Sequence, residues 1–138
     1  MKVLVLLPTL DEEEALPQVL AAMPNGDLSS KGVEIGIMIV DGGSIDSTLD
    51  IAREAGCTIV EQKTTGKGLG LRLGFEVFLA SDYDRLVMLD ADATYDPADI
   101  TKMLEKLDQG ADIVIGSRFL NSPENIPSYR KAGIKINT

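Results

Sequence analysis

Short runs of β-branched and other apolar residues alternate along this chain with segments whose apolar residues recur at helical spacing, and nothing else in the sequence constrains the fold as much. A strand buried on both faces reads as a continuous apolar run, and consecutive parallel strands need a helical crossover. The pattern therefore predicts an α/β domain with a mainly parallel sheet and helices on both faces. Five strands are expected: Val3 to Leu7, Glu34 to Val40, Cys57 to Glu61, Arg85 to Leu89 and Asp112 to Ile115. Between them, Ala15, Leu16, Val19, Leu20 and Met23 make one helical stripe, Leu71, Phe75 and Phe78 a second, and Ile100, Met103, Leu104 and Leu107 a third. A less regular helix is expected near Asp46 to Ala55, with Asp46, Ser47 and Thr48 as capping candidates and Gly56 as its stop, and Asp96-Pro97 reads as another helix start. The acid run Asp11 to Glu14 reads as a solvated first helical turn. From Phe119 the pattern breaks, so residues 1–117 are expected to form the α/β domain and 118–138 an irregular tail.

Charge narrows the function classes. Residues 1–117 hold 21 acids and 9 bases, a balance of −12, whereas 118–138 hold one acid and four bases, a balance of +3. An acidic body lacks the broad cationic surface that nucleic-acid binding needs, and it repels anionic small molecules unless a cation mediates. The longest apolar run, Val3 to Leu7, is far below the roughly 20 residues that span a bilayer, and no leader pattern opens the chain. Cys57 is the sole cysteine and there is no histidine, which removes cysteine-rich zinc sites and His-based triads. The expectation is a cytoplasmic protein whose chemistry uses oxygen ligands.

In an open α/β sheet, ligands bind at the carboxyl ends of the strands. After the fourth run stands Asp90-Ala91-Asp92. Residues two apart in extended chain face the same side, so the two carboxylates meet at one spot, where a hard divalent ion, Mg²⁺ or Mn²⁺, would relieve their repulsion. Asp41-Gly42-Gly43-Ser44 follows the second run: a carboxylate that can accept hydrogen bonds from a base or ribose, beside glycines that let a ligand approach, or else an ordinary strand-to-helix turn. Gly66-Lys67-Gly68 fails the P-loop pattern, and the glycines at 68, 70 and 74 miss the dinucleotide spacing. Lys67 is left either as a plain helix start or as a phosphate contact. Arg118, after the fifth run, can bond a phosphate with two prongs or form a surface ion pair.

Taken together and in order, Pro8-Thr-Leu-Asp-Glu-Glu-Glu14, Val40-Asp-Gly-Gly-Ser-Ile-Asp-Ser-Thr48, Gly66-Lys-Gly68, Leu89-Asp-Ala-Asp92 with Asp96-Pro97, and Gly110-Ala-Asp-Ile-Val-Ile-Gly-Ser-Arg118 resemble glycosyltransferase family 2. Within it they are most similar to the dolichyl- or polyprenyl-phosphate sugar (mannosyl) synthases. The resemblance implies the Rossmann-like glycosyltransferase A fold, a nucleotide-sugar donor such as GDP-mannose or a UDP-hexose, and an acceptor such as a polyprenyl or dolichyl phosphate at a membrane surface. It also implies that Pro8, Leu10 and Glu12 line the nucleotide pocket with Gly43, Lys67 and Ala91, and that Asp41 holds the base or ribose. Asp90 and Asp92 hold the diphosphate through the metal, Asp92 acts with Arg118 in catalysis, and Arg118 and Arg130 steady the phosphates or the acceptor. The chain departs from the family in having Asp11 for Asn, Gly42 for a second Asp, and Thr94 for Gln. Family members also run well past this length, so the chain is expected to be a donor-binding half whose tail begins the acceptor side, with a second copy or a partner chain covering the edge.

A lipid-phosphate oxyanion is already ionised at neutral pH and needs no general base, which suits a chain without histidine. The rival reading is a catalytically inactive module that binds a nucleotide sugar without turnover. A sugar-nucleotide pyrophosphorylase is disfavoured because Pro8-Thr-Leu-Asp-Glu12 stands where those enzymes carry a glycine-rich loop. A receiver domain is disfavoured because Arg118 replaces its lysine.

Overall fold

The computed structural model describes residues 1–64 and 66–117. Four strands, β1 (Lys2–Thr9), β2 (Glu34–Asp41), β3 (Thr58–Glu61) and β4 (Arg85–Met88), form one sheet in the order β3-β2-β1-β4, and every neighbouring pair is parallel. The helices are α1 (Leu16–Ala21), α2 (Asn25–Ser30), α3 (Thr48–Glu54), α4 (Lys67–Leu79) and α5 (Asp99–Asp108). β1 lies inside the sheet because its apolar run can be covered on both sides, and Val3 to Leu7 are all buried. Val3, Val5 and Leu7 point into a cluster with Leu16 and Val19 of α1, Leu28 of α2, Ala52 of α3, and Ile100 and Leu104 of α5. Leu4 and Leu6 point the other way, joining Met38 and Val40 beneath Leu71, Val77 and Phe78 of α4.

The second face is covered chiefly by α4, which sits close to the sheet by using glycine as its contact residue. Its buried residues are Gly70 and Gly74, and a Cβ at Gly74 would fall 2.3 Å from Leu6 Cδ1. The expected stripe is only partly realised: Leu71 and Phe78 pack against the core, while Phe75 is largely exposed. The spacing that fails the dinucleotide fingerprint is therefore a packing feature at Gly70 and Gly74.

Two expectations need correction, and one helix has no helical stripe in the sequence. Asp112 to Ile115 is no strand; residues 111–117 lie outside any regular element, with Ile113 80% and Ile115 83% exposed. The run has strand-like composition, but a strand needs a ladder partner, and among the described residues β4 ends the sheet. A groove of about 770 Å³ lies between them, lined by Leu86, Val87 and Met88 on one side and Ile113, Val114 and Ile115 on the other. Second, the acid run does not start a helix, because α1 begins only at Leu16 and the acids are used in loop contacts. The helix without a helical stripe is α2, Asn-Gly-Asp-Leu-Ser-Ser, whose only buried residue is Leu28.

Candidate functional site

Parallel register brings the strand ends to one side. Thr9 of β1 pairs with Asp41 of β2, which pairs with Glu61 of β3, and the Leu89 amide donates to Leu6 O at 3.1 Å, carrying the chain beyond β4 toward the same side. A cleft of about 310 Å³ opens there, lined by Pro8, Thr9, Leu10, Glu12, Val40, Gly42, Gln62, Gly66, Lys67, Gly70, Asp90, Ala91 and Asp92. Seven of the expected site residues, Pro8, Leu10, Glu12, Lys67, Asp90, Ala91 and Asp92, thus share one wall-to-wall space. Leu10 is 57% exposed at its rim, and the side chain of a lone leucine in that position offers a flat apolar contact.

Asp41 and Gly43 are placed differently. Asp41 is 2% exposed, and its carboxylate holds the following turn together. Oδ1 accepts from Thr9 Oγ1 at 3.2 Å and Ser44 Oγ at 2.5 Å, while Oδ2 accepts from the amides of Gly43 at 2.9 Å and Ser44 at 2.8 Å. Gly43 has φ 106°, a value that L side chains rarely adopt, so the turn that wraps the carboxylate needs glycine there. Neither residue lines the cleft, although Gly42 between them does.

The loop after β1 and the loop after β2 are laced to each other. Asp11 Oδ1 accepts from the Ile45 amide at 2.8 Å, Glu13 Oε2 from the Ser47 amide at 3.0 Å, and Asp46 Oδ2 from the Glu13 amide at 3.1 Å. The fully buried Thr48 accepts the Glu12 amide on Oγ1 at 2.8 Å, fixing where Glu12 starts. Asp46, one residue before the N-cap Ser47, caps α3 by accepting the Thr48 amide at 2.9 Å. Asp96 instead accepts the amide of Ala98, the N-cap of α5, at 2.9 Å, and that helix begins at Asp99, two residues past the start expected at Pro97.

The acidic end of the cleft is electrostatically loaded. Burial, with the charges of Asp92, Asp46, Asp90 and Asp11, pushes the Glu12 carboxyl above its usual value. Burial alone would raise Asp92 as well, but bonds from Thr94 Oγ1 and the Thr94 amide to Oδ1, aided by Lys67, hold it below the carboxylate range. Lys67 Nζ donates to Asp90 Oδ1 at 2.9 Å, which raises the ammonium pKa. Ala93, directly after Asp92, has φ 61°, the left-handed region that costs an alanine roughly 1–2 kcal/mol.

A hard divalent ion fits this donor set in kind: carboxylate oxygens, no sulfur and no imidazole. Among the described residues no three acidic or cysteine side chains are gathered to hold an ion by themselves. The Asp90–Asp92 pair therefore suits an ion that completes its shell with a ligand's oxygens and water, as Mg²⁺ and Mn²⁺ do with phosphates. Arg118 and Arg130 lie outside the described residues, as does the tail 118–138.

Sequence reasoning missed Gln62 and Thr9, and read Thr48 only as a capping candidate. Gln62 follows β3, its amide donates to Asp41 O at 2.9 Å, and its Nε2 donates to Gly66 O at 3.0 Å. Cβ atoms at Gly42 and Gly70 would come within 3.3 and 2.4 Å of its side chain, so these two glycines make room for the Gln62 amide on the cleft floor. Glycine at two strand-end and helix-start positions flanking a lone Gln was the available signal.

Comparison with known proteins gives this geometry its context. Residues 4–135 match the family model described as glycosyl transferase family 2. The chain is 38% identical over 135 residues to glycosyltransferase AglJ of Haloferax volcanii, covering 97% of this chain and 42% of that protein. It is 35% identical over 136 residues to a dolichol-phosphate mannosyltransferase of Pyrococcus furiosus, covering 95% of this chain and 38% of that one. The chain thus spans about two-fifths of the length of these relatives. Glucosyl-3-phosphoglycerate synthase of Mycobacterium tuberculosis, solved with Mn²⁺, UDP-glucose and phosphoglyceric acid, superposes with a TM-score of 0.62 at 24% identity, over 79% of this chain and 40% of that one. At that identity the likeness is one of fold.

Proposed function

This chain belongs to glycosyltransferase family 2 and has the glycosyltransferase A fold, and from that premise we propose that its described residues bind the nucleotide-sugar donor of a hexosyltransferase. The observation that carries the reading is the single cleft at the strand ends in which Pro8, Leu10, Glu12, Lys67, Ala91 and the Asp90–Asp92 pair converge. Pro8 and Leu10 form an apolar wall for the base, and the Asp41 carboxylate holds the turn at Gly42 and Gly43 beside it. Lys67 serves the diphosphate. Asp90 and Asp92 would hold Mg²⁺ or Mn²⁺, which would supply positive charge to stabilise the leaving diphosphate.

The donor is a nucleoside-diphosphate hexose, GDP-mannose or a UDP-hexose, and the acceptor is a polyprenyl or dolichyl phosphate. The names of the relatives support that acceptor class, whose oxyanion is already ionised and needs no base. A lipid-phosphate acceptor places the reaction at a membrane surface on the cytoplasmic side, with Arg118 and Arg130 meeting its phosphate. No helix among the described residues is long and apolar enough to cross a membrane.

Calorimetry of GDP-mannose, UDP-glucose and the free nucleotides, with and without Mn²⁺, tests the reading. Metal-dependent binding lost in Asp92→Ala is expected; binding indifferent to metal and to that substitution overturns the site. Sugar transfer to a short polyprenyl phosphate by this chain alone separates an enzyme from a module that only binds.

A further inference from the structure

Among the described residues, one basic side chain stands among the acids of the cleft. Lys67 opens α4 and its Nζ bonds Asp90 Oδ1 at 2.9 Å, with the two side chains 64% and 32% exposed. Resting on the donor-site reading above, we propose that Lys67 is a positioning residue that competes with the divalent ion for Asp90 and passes to the donor diphosphate when the ion binds.

The competition follows from shared chemistry. An ammonium and a hard divalent ion seek the same carboxylate oxygen, and they repel each other if both stay on it. Asp92 offers an ion chiefly its Oδ2, because its Oδ1 already accepts two bonds from Thr94, so Asp90 is needed beside it. Lys67 has somewhere else to go: its stem is flexible, it follows Gly66 at φ 132°, and it lines the same cleft that a diphosphate would fill. A diphosphate that draws Lys67 away frees Asp90 for the ion, and an ion that displaces Lys67 frees its charge for the diphosphate. Ion and nucleotide thereby strengthen each other's binding beyond their direct contact, and by linkage the coupling is reciprocal.

The test measures Mn²⁺ binding to the full chain and to Lys67→Met, alone and with saturating UDP or GDP. Methionine keeps the stem and removes the charge. Mn²⁺ alone is expected to bind the variant about three- to fivefold more tightly, the scale of a partly exposed ion pair. The factor by which nucleotide tightens Mn²⁺ binding should shrink to match. Removing a lysine that acts only as background charge would raise Mn²⁺ affinity equally with and without nucleotide and leave that factor intact. Such a result, or an unchanged affinity for Mn²⁺ alone, overturns the proposal. In ¹⁵N-lysine spectra of the unaltered chain, Mg²⁺ should shift the Lys67 Nζ resonance; a resonance that stays put also counts against it. A different failure, with neither Mn²⁺ nor nucleotide bound by the unaltered chain or by Asp92→Ala, removes the donor site itself and this proposal with it.

Discussion

Two turns at the same end of the sheet carry aspartates, and the structure uses them in opposite ways. After β2, Asp41 is buried and its oxygens accept four bonds from Thr9, Gly43 and Ser44, with the left-handed backbone position given to a glycine. After β4, Asp90 and Asp92 face the cleft, lean on Lys67 and Thr94, and the left-handed position falls on Ala93. The first turn satisfies its own charge. The second leaves charge to be met from outside and keeps a strained residue beside it, the pattern expected where a ligand rather than the fold completes the interactions.

The sharpest way to break this contrast is to remove each carboxylate in turn. Asp41→Ala strands the buried Thr9 hydroxyl and three part-buried donors of Gly43 and Ser44, so urea denaturation should show a loss of about 1–3 kcal/mol. An Asp41→Ala protein of normal stability that binds no nucleotide would reverse the assignment of the two turns. Asp92→Ala should do the opposite: its stability stays within about 0.5 kcal/mol, as for exposed sites, while Mn²⁺-dependent nucleotide affinity drops at least about tenfold in calorimetry.

Smaller effects sharpen the picture. The raised carboxyl of Glu12 means that the folded chain holds that proton more tightly than the unfolded chain. Stability from this group therefore falls as pH rises from the ordinary glutamate value through the raised one, and Glu12→Gln should abolish that slope in metal-free urea titrations. Asp92, held low, has the opposite sign: its contribution is present above the ordinary aspartate value and disappears as pH falls through its lowered value. Carboxyl ¹³C titration should place the two on opposite sides of normal. Last, Ala93→Gly relieves the left-handed backbone and should stabilise the chain by about 0.5 kcal/mol, part of the gain being lost to the freer unfolded chain. The corresponding Gly43→Ala should destabilise it.

Much of this was legible in the residues. Buried parallel strands announce themselves as apolar runs, and Asp90-Ala91-Asp92 at the end of one of them is visible without coordinates. What the chain hides is how each charge is satisfied. Nothing local distinguishes Asp41, which finds Thr9 across 32 positions, from Asp92, whose partner Thr94 is two residues on. The acids at 11 and 13 look like a helix start, but their carboxylates bond amides more than thirty residues away. Asp112 to Ile115 misleads for a related reason: strand propensity is local, whereas a strand exists only if a neighbour supplies its ladder.

Gly74 carries one more consequence. Because a bare Cα is all that separates α4 from Leu6, the distance from helix to sheet is set there, and Lys67 is carried at the other end of the same rigid rod, two turns away. A methyl group at that spot would act as a shim, lifting the helix and drawing its ammonium off Asp90 without altering a single residue of the cleft. The tolerance to which the site is machined is thus held in the core, by a position with no side chain at all.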